Sequence, residues 1–442
     1  MNACQRATDL PDGPALSPAE TTFRWLAHPY AFLDECAATY GDTFTLHFTR
    51  FGTHVVLAHP DAVRDVFTGD RHVLHAGRAN VLLEPVLGRH SLLVADGDRH
   101  LEQRAGLQPA FRSDRIQSYA RVIVEATRRR TAAWRGGGTF GVQRTALEIS
   151  REVILHVVLG LEAGALERFR RLIHDVMVLV GTNATFDAES DSPRLMERFA
   201  AARGALNDAL QEQIEQRRRQ PGAGNDMLSM LLAVRTDAGE PLGDEELRDQ
   251  LLTMILAGHE TTASSITWGL LCVHAHPAAL QALWHELDDA GRELPDERLG
   301  QLPYLQAVCL ETLRLRPVIP VVSRELQAPF RVQDRILPAG VFVTPCPYLA
   351  HRRPDFFPEP DVFRPERFLE RHFSPYVYFP FGGGVRRCIG MSFALLELQI
   401  VLGMLVRRFR FAPAGPVRPV RRAVTVVASG GGKMHVERRR AA

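Results

Sequence analysis

The chain has 442 residues, 45% hydrophobic and 24% charged, with a formal net charge of +2. That balance excludes disorder, collagen and coiled coil, and it offers neither the charge excess of a nucleic-acid binder nor a polyanionic tail. Six cysteines with no CxxC pair exclude a disulfide framework and a zinc module, and fit a reducing cytoplasm.

Residues 1–20 read as a polar tail broken by Pro11, Pro14 and Pro18, with neither a signal peptide nor a membrane anchor. Residues 21–437 are expected to form one domain and 438–442 a basic tail. Thr43–Phe48 and His54–Leu57 are β-rich runs flanking Arg50-Phe51-Gly52-Thr53, the pattern of a hairpin. Helical periodicity follows at Leu166–Gly181 and Leu195–Gln220, with the polar Asn183–Pro193 stretch as a connector. Pro221–Asp226 reads as a loop whose Asp226 caps the next helix. Gly243-Asp244 opens a long helix running to about His276, where Pro277 can start another. Its apolar stretches are interrupted by His259, Glu260, Thr261 and Thr262, so it reads as a central buried helix rather than a membrane span. Beyond Pro303 short helices alternate with Pro-rich extended pieces as far as Phe381. Ala423–Val427 and Lys433–Val436 are strands joined by the glycine turn Ser429–Gly432. The expected fold is mainly α with a minor antiparallel β portion.

Several motif fragments fail on inspection. His259-Glu260 lacks a second zinc-binding histidine, since Ala263 occupies that position. Gly430-Gly431-Gly432-Lys433 lacks the remaining phosphate-loop residues, Gly382-Gly383-Gly384 is not a dinucleotide fingerprint, and no GxSxG elbow is present. The specific feature is Phe379-Pro380-Phe381-Gly382-Gly383-Gly384-Val385-Arg386-Arg387-Cys388-Ile389-Gly390. Its glycines let backbone approach something flat. Its cysteine precedes a helix starting near Met391, where the helix dipole, free N–H groups and two arginines favour a thiolate, a soft anionic metal ligand.

Phe381 to Gly390 resembles the haem-thiolate signature of the cytochrome P450 monooxygenases. The resemblance implies that Cys388 is the axial ligand of haem iron, that Phe381 packs beside the thiolate, that Arg386 reaches a propionate, and that Gly390 lies against the cofactor. Glu311-Thr-Leu-Arg314, with Arg367 in Phe363-Arg-Pro-Glu-Arg367-Phe, resembles the family's structural Glu/Arg/Arg network. Ala257-Gly258-His259-Glu260-Thr261-Thr262 resembles the oxygen-activation segment of the long helix over the haem. Gly258 and Thr261 would open a groove there, Ala257 would face the cofactor, and Glu260 and Thr261 would relay protons. His259 reads as a core residue. His100 and Arg104, in Asp96-Gly-Asp-Arg-His100-Leu-Glu-Gln-Arg104, and Arg324 match propionate-binding positions.

A haem-thiolate monooxygenase is thereby expected, with haem b and dioxygen as cofactors and NAD(P)H serving only indirectly. A fused flavin reductase is not expected, so a ferredoxin with its reductase would donate electrons. Arg104, Arg112, Arg115, Arg352, Arg353, Arg386 and Arg387 could give the cysteine side a basic docking face. Leu83, Ile319, Val321 and Val322, with Ala257, are the expected substrate contacts, implying hydroxylation or epoxidation of a hydrophobic molecule of terpenoid, steroid-like or fatty-acid type. A peroxide-driven haem-thiolate enzyme and a haem gas sensor are the competing readings; the relay residues argue against the first, and the apolar stretch from Val73 to Val94, which matches the family's variable substrate loop, argues against the second.

Overall fold

The long helix organises the molecule. Asp244, Glu245 and Glu246 in its first turn complement the helix dipole, Gly243 caps it in an extended conformation, and it runs 32 residues, Asp244–Ala275, before Pro277 opens the next helix, Pro277–Asp289. This computed structural model describes residues 10–161, 163–181, 193–220, 226–235, 239–291 and 293–439. The connector expected at 183–192 and the loop expected at 221–225 lie outside the described residues. Three helices enclose the central one: the crossing helix Val142–Leu159, the helix Pro303–Leu315 and the terminal helix Met391–Arg408. They share one large apolar core that includes Ile154, Leu251, Ile266, Leu305 and Leu402. Asp226 caps helix Met227–Ala233, its Oδ1 accepting from Ser229 N at 2.9 Å.

The described residues form twelve short strands around this helical body. They are β1 (Thr43–Phe48), β2 (Gly52–Leu57), β3 (Leu74–His75), β4 (Gly138–Gly141), β5 (Arg324–Leu326), β6 (Phe330–Val332), β7 (Arg335–Leu337), β8 (Phe342–Pro345), β9 (Phe409–Pro413), β10 (Pro419–Arg422), β11 (Thr425–Ala428) and β12 (Lys433–Arg438). β1 and β2 form the expected hairpin, in register from Thr43 opposite Leu57 to Phe48 opposite Gly52. They belong to a five-stranded sheet of order β1-β2-β8-β5-β3, in which β2 and β8 run parallel. All other pairings are antiparallel among the described strands.

Two expectations need correction. The terminal strands do not pair with each other: β11 pairs with β10, whereas β12 lies between β4 and β9. Gly430, Gly431 and Gly432 all have positive φ and carry the chain from one sheet to the other. The segment 10–17, read as tail, lies along β1, where Thr45 N donates to Asp12 O at 3.1 Å and Thr45 Oγ1 to Pro11 O at 2.5 Å. No helix among the described residues is long and apolar enough to cross a membrane.

Candidate functional site

The cysteine loop is held against helix Pro60–Thr68. Phe379 meets Phe67 edge-on at 5.3 Å, and a Cβ at Gly383 or Gly384 would collide with the Phe67 ring or its carbonyl oxygen. Gly382 and Gly384 have φ of 67° and 63°. These glycines therefore seat the loop on its own protein, a different use from the flat approach expected of them. Cys388 N donates to Phe381 O at 2.9 Å, and Gly390 caps the terminal helix. The Cys388 side chain is solvent-accessible yet walled by protein, so it faces an internal cleft. Burial there pushes its thiol up, outweighing the Gly390 N–H, Arg104 and Arg387, which pull it down.

Beside the loop the structure gathers His100, Arg104, Arg324 and Arg386. Arg386 donates to Leu92 O at 3.2 Å and also to Ala95 O and Asp96, so it ties the cysteine loop to segment 92–96. Arg324 is buried, with its Nη1 on Ser323 O at 2.8 Å; burial, then Arg386, pushes its guanidinium down to about 9. His100 is pushed down to about 3 by burial and by all three arginines. Asp96 is the one carboxylate that acts on Arg324 and Arg386 among the described residues. Buried cations in such excess call for anions. Haem fits on this observation, because its two propionates would supply the missing charge beside a thiol facing a cleft.

On the central helix Ala257 is exposed although its surroundings are packed, and Thr261, one turn on, is half-buried on the same face. This stripe is accessible on a helix that is otherwise largely buried, and so lines a concave space. Thr261 Oγ1 donates to Ala257 O at 2.8 Å, and Thr262, Ser264, Ser265 and Thr267 each donate to the carbonyl four residues back. Of this series only Thr261 stands out from the sequence. Gly258 does not open the groove: a Cβ there would lie 2.8 Å from Ile154 Cδ1, so it permits the crossing helix to approach. His259 is a core residue, its Nδ1 on Ile255 O at 3.0 Å. Glu260 faces away from Thr261's hydroxyl, with Oε1 3.3 Å from Arg422 Nε. Burial pushes its carboxyl up, and Arg422 and Arg151 offset this in part.

Glu311, Arg314 and Arg367 meet in the interior, all within 1% of full burial. Arg314 Nε and Nη2 donate to Glu311 at 2.7 and 2.9 Å, Arg367 Nε at 3.2 Å, and Arg364 N at 2.8 Å. Arg314 Nη1 also donates to His351 O at 2.9 Å, while His351 Nε2 accepts from Phe379 N at 2.9 Å. His351 thus links this network to the cysteine loop. The sequence carries no signal for it, since half of the link is a backbone carbonyl.

Ile319, Val321 and Val322 are half-buried, with Val322 beside Gly382, and Leu83 is half-buried in the turn Val81–Leu83. The apolar segment around residues 84–94 is clamped by polar groups that sequence reasoning missed. His90 N donates to Asp249 at 3.0 Å, Gln250 to His90 O at 2.5 Å, and Arg203 to Val86 O at 2.7 Å. The expected basic face is reduced. Arg352 donates to Leu315 O at 2.6 Å, Arg353 pairs with Asp42 and Asp355, and Arg386 is turned inward, which leaves Arg112 and Arg387 exposed.

The family model "Cytochrome P450" matches residues 11–432. A curated relative from Mycobacterium tuberculosis, "Putative cytochrome P450 135B1", is 36% identical over 436 residues, covering 97% of this chain and 91% of its own. "Putative cytochrome P450 138" from the same organism is 32% identical over 408 residues, 90% of each chain. Among solved structures, retinoic acid-bound cyanobacterial CYP120A1 matches with a TM-score of 0.85 at 26% identity, covering 98% of this chain and 100% of that one. The heme domain of cytochrome P450DA matches with a TM-score of 0.86 at 22% identity over 98% of each chain, a likeness of fold.

Proposed function

Because the chain belongs to the cytochrome P450 family, and so is a haem-thiolate monooxygenase in its general chemistry, we propose that it oxidises a hydrophobic small molecule with electrons from a separate ferredoxin and reductase. The overall change is RH + O2 + 2 e⁻ + 2 H⁺ → ROH + H2O, or the matching epoxidation of a double bond. Haem b, when bound, supplies the activation of dioxygen, to which thiolate ligation contributes electron density.

Cys388 is the proposed ligand, with Phe381 and Gly390 completing the loop around it. Arg104, Arg324 and His100 hold the propionates, while Arg386 fixes the loop through Asp96. Ala257 would offer a small apolar surface to the cofactor. Thr261 holds a proton at Oγ1 on the cleft side, and Glu260 exchanges protons with solvent on the Arg422 side. Half-buried Ile319, Val321, Val322 and Leu83 turn apolar carbon toward a substrate of terpenoid, steroid-like or fatty-acid type, and the related structure that holds retinoic acid supports such a class. A cytoplasmic location suits this chemistry and its redox partners. Glu311, Arg314 and Arg367 keep the cysteine loop in place.

The observation that carries the site assignment is the buried cationic excess beside the cleft-facing thiol. Its test is the reduced carbon monoxide difference spectrum. Wild type should show the strongly red-shifted Soret band of thiolate ligation, Cys388→Ser should lose it, and Arg324→Met should keep its position while retaining less haem. A wild-type band at the position of histidine-ligated haem would overturn the assignment.

A further inference from the structure

Arg421 sits on β10 immediately before Arg422, and neighbouring strand residues point to opposite faces. Arg422 goes to Glu260 of the central helix. Arg421 goes the other way, its guanidinium 4.6 Å over the Trp25 ring and its Nε on Ala423 O at 2.7 Å. Its Nη1 is buried with no hydrogen-bond partner, and no carboxylate forms an ion pair with it among the described residues. Burial alone pushes this guanidinium down to about 10. By contrast, the inward-facing Arg203, Arg217 and Arg407 each have an acid within reach. A charge taken from water with no counter-ion is costly, and an arginine fork is shaped for a carboxylate.

Its surroundings say where the rest of such a ligand would lie. Trp25 and Val426 belong to one apolar cluster, against which Val321 packs, and Val426 N donates to Val318 O at 2.8 Å. The unpaired cation thus sits beside the apolar cluster against which Val321 packs, on the face of its strand opposite to the one that meets the central helix. We propose that Arg421 anchors the carboxylate of an otherwise apolar substrate, so that amphiphilic acids are preferred over their esters and over neutral hydrocarbons. This rests on the monooxygenase reading above and narrows its substrate class.

The test is calorimetric titration of the haem-loaded protein with dodecanoate, hexadecanoate and retinoate, each beside its methyl ester. At least one acid should bind wild type about tenfold more tightly than its ester. Arg421→Met should bring that pair level, and Arg421→Lys should keep part of the difference. Because the native charge is unpaired, Arg421→Met should also melt no lower than wild type, which a merely structural strut would not allow; Arg421→Gln replaces it if it does not fold. No acid preferred over its ester in wild type, or a preference surviving in the neutral variants, overturns the anchor. The carbon monoxide band of each preparation separates the two readings. A thiolate band without acid preference defeats the anchor alone, whereas its absence from wild type defeats the haem-thiolate reading.

Discussion

Thr261 and Glu260 are neighbours in sequence, yet one hydroxyl lies on the cleft stripe and the other side chain points to Arg422. Removing the hydroxyl should therefore change proton delivery and little else. Thr261→Ala is expected to raise peroxide released per NAD(P)H consumed severalfold at the expense of product, with the carbon monoxide band unmoved; equal coupling in the two proteins would remove Thr261 from the relay. Elsewhere, Glu397 is fully buried, accepts from Ser150 Oγ at 2.6 Å and leaves Oε2 unpartnered. Burial pushes its carboxyl from 4.5 up to about 7. Between those values the folded state keeps a proton that the unfolded chain has lost, so stability from this group is full below 4.5 and is lost as pH rises through about 7. The loss is at most about 3 kcal/mol. Glu397→Gln should flatten the fall in melting temperature between pH 4.5 and about pH 7, and an unchanged slope would assign that fall to other groups. At this scale residue type and spacing were legible, because cysteine, threonine and arginine advertise their chemistry. Direction was not: nothing in the sequence turns Arg386 onto backbone carbonyls or brings His351 to Phe379.

Where elements meet, glycines set the distances. Gly384 has positive φ and faces the backbone of Phe67, which cannot yield, so Gly384→Ala should cost about 2 kcal/mol or more and lower haem retention. Gly390, whose added Cβ would stand 3.4 Å from Phe111, should accept alanine with a much smaller loss. Gly258→Ala meets only the flexible end of Ile154, so it should cost about 1 kcal/mol, and Ile154→Val should recover part of that in the double variant. Melting curves of the single and double variants decide this, and strict additivity would show that the two positions do not share the crossing. The elements themselves were readable where caps and turns marked them, as at Gly243, Asp226 and the β1–β2 hairpin. The partners of β11 and β12 were not, because a glycine turn between two strands looks the same whether it joins one sheet or links two.

Across the whole molecule, buried ion clusters join distant segments. Asp296 receives Arg128 at 2.8 Å and Arg407 at 3.5 Å as well as Arg408, tying helix Ala120–Arg130 to the terminal helix. Glu311 does the same for helix Pro303–Leu315 and the segment 364–367 that leads into the cysteine loop. Glu311→Gln leaves two buried guanidiniums facing a neutral amide, and should cost about 3–5 kcal/mol and leave little folded, haem-loaded protein. A wild-type melting temperature in that variant would contradict the role. The family's Glu/Arg/Arg pattern made this cluster readable from spacing, whereas the Asp296 cluster has no spacing to read. The parallel pairing of β2 with β8 has a consequence in time. His54–Leu57 reaches its neighbour only when Phe342–Pro345 has been synthesised, so one edge of the early hairpin must wait unpaired while most of the chain is made. During that wait Val55, Val56 and Leu57 offer a sticky ladder to any other strand, which makes the nascent chain, more than the finished enzyme, the form in need of a chaperone.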